Sequence, residues 1–396
     1  MARDDDRVAA PGCPSGRPPV VDVPVSGRCE ARFSAVREAF VDNFRERGEL
    51  GAAVTVLLRG EPVVELVGGW RDSGRREPWR PDTLVNFYSV GKAMVGLLLL
   101  QEVDNGRIEL DEPISSIWPE CSAGQAGATV RQALCHRAGV PALRPPLTDA
   151  DLWRWDVMTA ALADTEPWWP PGSRHVYHTN TFGHLVGELV HRASGRLPSA
   201  RLRSVAASLD ADLWFGVPEE HHERCAEVVW AVGGDPPTVD RQHLSGDELM
   251  VQLGYFNPPG YSSMGVVNSP EWRSALVPST NGHGTATGVA RFYAALLQPD
   301  RLLSPRLLAE ATKPQSTGFC PVLDEDVVFG LGFKPTSVRR PFGPNPHAFG
   351  HFGTGGAVGF ADPDTELAFG YVMNDVVPRW QSTRNRSLVD AVYRSL

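Results

Sequence analysis

The stretch Asn86-Phe87-Tyr88-Ser89-Val90-Gly91-Lys92-Ala93-Met94, continued by Val95-Gly96-Leu97-Leu98-Leu99-Leu100, decides how this chain is read. A strand-like run gives way to a helical one at Ser89, where backbone N–H groups have no intrahelical partner. Three residues on, Lys92 falls on the same helix face as the serine hydroxyl. A serine is a poor nucleophile until a neighbouring base takes its proton, and a desolvated lysine can be that base. An N-cap serine with a snorkelling lysine would leave the same letters, so the setting has to decide.

The setting is a chain of 396 residues, enough for two domains or for one domain with a large insertion. A formal charge of −9 disfavours a nucleic-acid surface. Lysine is scarce beside abundant Arg, Ala, Gly and Pro, which reads as codon bias rather than as a phosphate site. The charged start Met1-Ala2-Arg3-Asp4-Asp5-Asp6-Arg7 lacks an apolar core, so no signal peptide is expected, and residues 97–100 are too few to span a membrane. Six dispersed cysteines without a CxxC pair suggest a reduced, cytoplasmic protein. Cys135 stands beside His136, but the pattern over 129–136 reads as an amphipathic helix that uses the thiol for packing.

Working outward, residues 1–18 read as a disordered arm. Phe33, Val36, Phe40, Val41 and Phe44 recur at helical spacing, and the runs 52–58 and 62–70 form a hairpin around Arg59-Gly60-Glu61. The helix carrying Lys92 extends to Val103 and stops at Asn105-Gly106. Residues up to about 275 show helices and Pro/Trp-rich loops with little strand signal. After Asn281-Gly282-His283-Gly284 comes a helix at 286–297, then apolar runs at 327–333, 348–352, 357–361 and 367–373, and a terminal helix at 382–396. The expected class is α+β: an antiparallel sheet flanked by helices, built from 19–97 and 276–396, with a mostly helical domain at 98–275 inserted.

Further motifs carry chemistry. A phenol at Tyr177, in Tyr177-His178-Thr179-Asn180, could shuttle a proton beside a Ser/Lys pair, provided the lysine charge lowers its pKa. The plain alternative is a buried tyrosine opening a helix at 182–190. Phe349-Gly350-His351-Phe352-Gly353-Thr354-Gly355-Gly356 lies on an expected strand whose edge could offer an N–H to an oxyanion. A dinucleotide loop is disfavoured there because strand, not helix, follows. His221 and Cys225 lie four apart in a charged run that reads as a solvated helix face rather than a metal site. Trp153, Trp155, Trp168, Trp169, Trp214, Tyr255 and Phe256 are candidates for core packing or for the walls of an apolar cleft.

In this order the motifs resemble the serine β-lactamase and penicillin-binding superfamily, in its class C-like branch with the family VIII carboxylesterases. The resemblance rests on Ser89-Val90-Gly91-Lys92, on 104–113, 129–141 and 171–177, on 281–286, and on His351-Phe352-Gly353-Thr354-Gly355-Gly356. It implies a β-lactamase/transpeptidase-like fold with Ser89 as acylated nucleophile, Lys92 as its base and Tyr177 as the tyrosine of a Y-x-N element. It further implies an oxyanion hole from the N–H groups of Ser89 and Thr354, and His351-Phe352-Gly353 on the K-T-G strand. Two departures stand out: Thr179 occupies the asparagine position, with Asn180 one place late, and His351 replaces the lysine. Both remove features suited to a β-lactam and favour esterase-like or acyl-transferring members. The expectation is therefore a cofactor-free, metal-free carboxylesterase-type serine enzyme acting on a small-molecule acyl donor. The alternatives are a transacylase with an amine or alcohol acceptor, a β-lactamase, and a catalytically silent binding protein. No nucleic-acid or membrane partner is expected.

Overall fold

The computed structural model describes residues 23–230, 235–377 and 381–396. The expected arm at 1–18, with Cys13, lies outside the described residues. Seven strands form the main sheet: β1 Val25–Cys29, β2 Gly51–Leu58, β3 Glu61–Gly69, β4 Lys334–Pro335, β5 Phe349–Phe352, β6 Val358–Asp362 and β7 Leu367–Met373. Their order is β1-β3-β2-β7-β6-β5-β4, with every neighbouring pair antiparallel. The two ends of the chain thus meet in the middle of one sheet, where β2 pairs with β7.

The sheet is covered on both faces, which is why β6 and β7 are buried at every position. On one face, a side chain at Gly359 would meet Val289 and Tyr293, and one at Gly370 would meet the backbone of Ala286. Those residues belong to a helix spanning Ala286–Leu296. On the other face, Phe40 and Phe44 of the helix Ser34–Glu46 press on Gly68. The C-terminal helix Thr383–Ser395 packs beside the latter. Helix Gly91–Asp104, which carries Lys92, is apolar nearly all round and is accordingly enclosed, with helix Thr181–Ser194 against it.

The hairpin at 59–61 closes with two residues: Arg59 and Gly60 take φ of 54° and 83°, the sense of turn that matches strand twist. The run 327–333 does not form one strand. Glu325–Phe329 pairs with Ser316–Cys320 in a separate hairpin, Gly332 turns the chain at φ 75°, and only then does β4 begin. The middle region also holds two short strands. Leu213–Phe215 pairs with Gly282–Gly284, and Val229–Trp230 runs parallel to Asp375–Val376. Residues 219–224 form a 3₁₀ turn rather than an α-helical face, and the 129–136 pattern gives a short helix, Val130–Leu134, opened by a Thr129/Gln132 capping box. No helix among the described residues is long and apolar enough to cross a membrane.

Candidate active site

Ser89 sits in a 3₁₀ turn, Tyr88–Val90, between the short strand Val85–Asn86 and the helix of Lys92. Tyr88 holds φ at 52°, a left-handed conformation that an aromatic residue adopts at a cost of roughly 1–3 kcal/mol. The neighbours hold it there. Its phenol accepts from Ser263 Oγ at 3.3 Å, its ring meets Trp230 edge-on at 6.1 Å, and Phe87 N–H donates to Gly282 O at 2.8 Å.

Lys92 is fully buried, and its Nζ lies 2.9 Å from Ser89 Oγ and 3.1 Å from the carbonyl oxygen of Ser279. Burial drives its pKa well below the usual lysine value. That shift favours an uncharged amine at hydrogen-bond distance from the serine hydroxyl. Ser279 was not singled out in the sequence, although it stands just before the Asn281-Gly282-His283-Gly284 motif.

Tyr177 completes the group. Its ring lies 4.9 Å from Lys92 Nζ, and Ser89 is the side chain whose interaction acts to lower the pKa of its phenol. Its backbone is pinned from both sides: Tyr177 N–H donates to Cys320 Sγ at 3.2 Å, and His178 N–H to His136 Nδ1 at 3.1 Å. Phe329 stacks on the ring at 5.5 Å. The proviso that the lysine charge lowers the tyrosine pKa is not met. Burial raises it well above 10, because the enclosed site disfavours both a phenolate and the ammonium that would attract it. The Tyr177 phenol is therefore neutral.

Ser89, Thr179, Asn180 and Thr354 line one cleft of about 800 Å³, walled by Trp230, Tyr255, Phe256 and Met264. Thr354 reaches it because β5 runs hard against the Ser89 turn. A Cβ on Gly353 would stand 2.3 Å from the carbonyl oxygen of Phe87. Gly353 thus sets the approach of the strand, and His351 lies beneath the cleft. His351 is 1 % exposed, stacks behind Tyr177 at 6.5 Å, and shares Nδ1 with Phe352 O at 2.7 Å. Burial holds its pKa far down, so it is a neutral ring. The amide of Asn180 is spent within the protein: it donates to Gly254 O and Ser262 Oγ and accepts from Thr280 Oγ1, at 2.9, 2.8 and 2.7 Å.

Of the aromatics expected near a cleft, Tyr255 and Phe256 line it. Trp155 and Trp168 instead donate to Glu188 and to Ala142 O, each at 2.9 Å. Cys135 is buried with its pKa raised to about 11, so it is no nucleophile. Arg339, Arg340 and Arg386 at the cleft rim were not singled out by the sequence, because arginine is common throughout and their convergence is tertiary.

The β-lactamase family model matches residues 37–393. The chain is 30% identical over 371 residues to "Esterase/beta-lactamase LipL" of Mycobacterium tuberculosis, covering 88% of this chain and 83% of that one. A penicillin-binding protein homologue from Caulobacter crescentus superposes with a TM-score of 0.84 at 36% identity, over 94% of this chain and all of that one. A family VIII carboxylesterase superposes with a TM-score of 0.86 at 32% identity, with the same coverage. The chain belongs to the β-lactamase family, and with it to the serine hydrolases of the β-lactamase and penicillin-binding superfamily.

Proposed function

We propose that the protein is a carboxylesterase-type hydrolase that works through an acyl-enzyme on Ser89. The observation that carries this reading is the 2.9 Å contact between Ser89 Oγ and the buried amine of Lys92. Lys92 takes the hydroxyl proton as the serine oxygen bonds to the ester carbonyl. The ammonium that forms gains the face of the Tyr177 ring, 4.9 Å away. The oxyanion rests on the backbone N–H groups of Ser89 and Thr354, a pair whose members are each worth on the order of 10²- to 10³-fold in rate. Tyr177, a neutral phenol at Ser89, gives its proton to the departing alkoxide and is reprotonated from Lys92. Water then attacks the acyl-serine by the reverse sequence.

The ester preference follows from His351. A buried neutral ring stands where the β-lactam-directed members carry a lysine, so no charge from that position meets a β-lactam carboxylate. Transfer of the acyl group to an amine or alcohol is the competing fate of the same intermediate. Intact mass after treatment with a fluorophosphonate should show one adduct, absent in Ser89→Ala. p-Nitrophenyl acetate should be hydrolysed by the first protein only. An unmodified wild-type protein, or equal turnover by both, would sink the proposal, and aminolysis exceeding hydrolysis when amines are added would make it a transacylase.

A further inference from the structure

A second cavity opens beside the active-site cleft. It measures about 700 Å³ and lies between residues 338–344 and the C-terminal helix. Arg339, Gln381 and Arg386 line both spaces, so the two adjoin and these three side chains stand between them. Beyond them the second cavity is walled largely by apolar groups, among them Phe342, Phe352 and Val389. Phe342 and Phe352 stack at 4.4 Å, giving it a fixed aromatic surface. Val338, which is fully exposed, stands at its edge.

Arg339 donates to Glu325 Oε2 at 2.7 Å and Arg386 to Gln381 Oε1 at 3.1 Å, and Glu325 and Gln381 line the cleft as well, so the boundary is made of long side chains bonded to one another. An apolar chain that displaces the Arg386–Gln381 contact runs along their methylene stems. The volume falls within the range of about 300–1,000 Å³ typical of small-molecule sites.

We infer that the second cavity is a substrate compartment for elongated esters. The scissile carbonyl stands at Ser89 while a medium-length alkyl chain runs past Arg339 and Arg386 into the apolar space. This rests on the acyl-enzyme reading of Ser89. Each methylene withdrawn from water contributes about four-fold in affinity, so a short ester, held in the first cleft alone, gives up most of that gain.

The test compares kcat/KM for p-nitrophenyl octanoate and p-nitrophenyl acetate within each protein, so that losses of folded protein cancel in the ratio. The wild type should favour the octanoate by at least about ten-fold, given four-fold per methylene over a partly open cavity. Val389→Trp, which fills the compartment, should lower the ratio about ten-fold. Val338→Glu changes a fully exposed residue, leaves folding intact, and should lower it about four-fold by setting a charge beside the chain. A ratio that is the same in all three proteins overturns the inference, whether the cavity is empty or covered by a second copy of the chain. Acetate turnover with no chain-length preference removes this inference alone. Absence of turnover with either ester removes the Ser89 reading and this inference together.

Discussion

Replacing Lys92 by Met separates the chemistry of the site from its cost to the fold. Methionine keeps the length of the side chain and removes the amine. The kinetic loss is that of a general base, about 10²- to 10⁴-fold in kcat/KM. Stability should move little or rise, for the following reasons. The substitution leaves the Ser279 carbonyl without its 3.1 Å partner, a loss of about 1–3 kcal/mol. Against this, a fully buried lysine whose pKa lies well below 10.5 must shed its proton on folding at any pH between that depressed value and 10.5. The unfolded chain binds that proton and the folded one does not, so wild-type stability rises with pH between the depressed value and 10.5. The slope is about 1.4 kcal/mol per pH unit. Lys92→Met lacks this term and is otherwise identical. Urea unfolding of both proteins at pH 8, 9 and 10 should therefore show the variant's relative stability falling by about 1.4 kcal/mol per unit. A difference that stays constant across that range would mean that Lys92 is not an uncharged amine in the folded protein, and the assigned base would be lost.

Tyr177→Phe should lower kcat by about 10²- to 10⁴-fold with little change in KM, since the phenol acts on protons rather than on binding. Because burial raises Tyr177 well above 10, the wild-type rate profile should show no alkaline limb from it below pH 10, and a limb that vanishes in Tyr177→Phe would contradict this. Gly353→Ala places a methyl 2.3 Å from the Phe87 carbonyl, so β5 must retreat from the Ser89 turn; a displacement near 1 Å costs about 10²-fold, readable as slower fluorophosphonate labelling. Arg384→Met removes the cation that the buried acids Glu49 and Asp375 meet at 3.3 and 2.9 Å, and should cost about 3–5 kcal/mol in urea unfolding.

Ser89 and Lys92 were legible because their meeting is local: three residues along a helix bring them together whatever the rest of the chain does. The sheet was legible for a similar reason, since its long central strands carry near-continuous apolar runs. What required the fold was anything set by distant packing. The amide of Asn180 looks substrate-facing in a sequence, yet three separate segments consume it. The break in 327–333 depends on Gly332, whose turn redirects Glu325–Phe329 into another hairpin. The direction of the Tyr177 shift also escaped, because a sequence places a lysine nearby but cannot state that both groups are dry.

That dryness links the strain at Tyr88 to the basicity of Lys92. An ammonium here would have Ser89 Oγ and the Ser279 carbonyl as its polar neighbours, two dipoles in place of a hydration shell. Any opening that admitted water would restore the lysine charge and remove the base. Tyr88 and Lys92 flank Ser89 in one continuous turn and helix, and Tyr88 is held in its left-handed conformation by Ser263 on its hydroxyl, Trp230 on its ring and the Gly282 strand bonded to Phe87. A turn that slackens at Tyr88 is therefore expected to let water reach Lys92. Loosening those contacts, for example by Trp230→Ala, should lose activity most severely at neutral pH and partly regain it as alkaline pH deprotonates Lys92. If the variant's activity loss were instead the same at pH 7 and pH 10, the coupling between packing and basicity would be refuted.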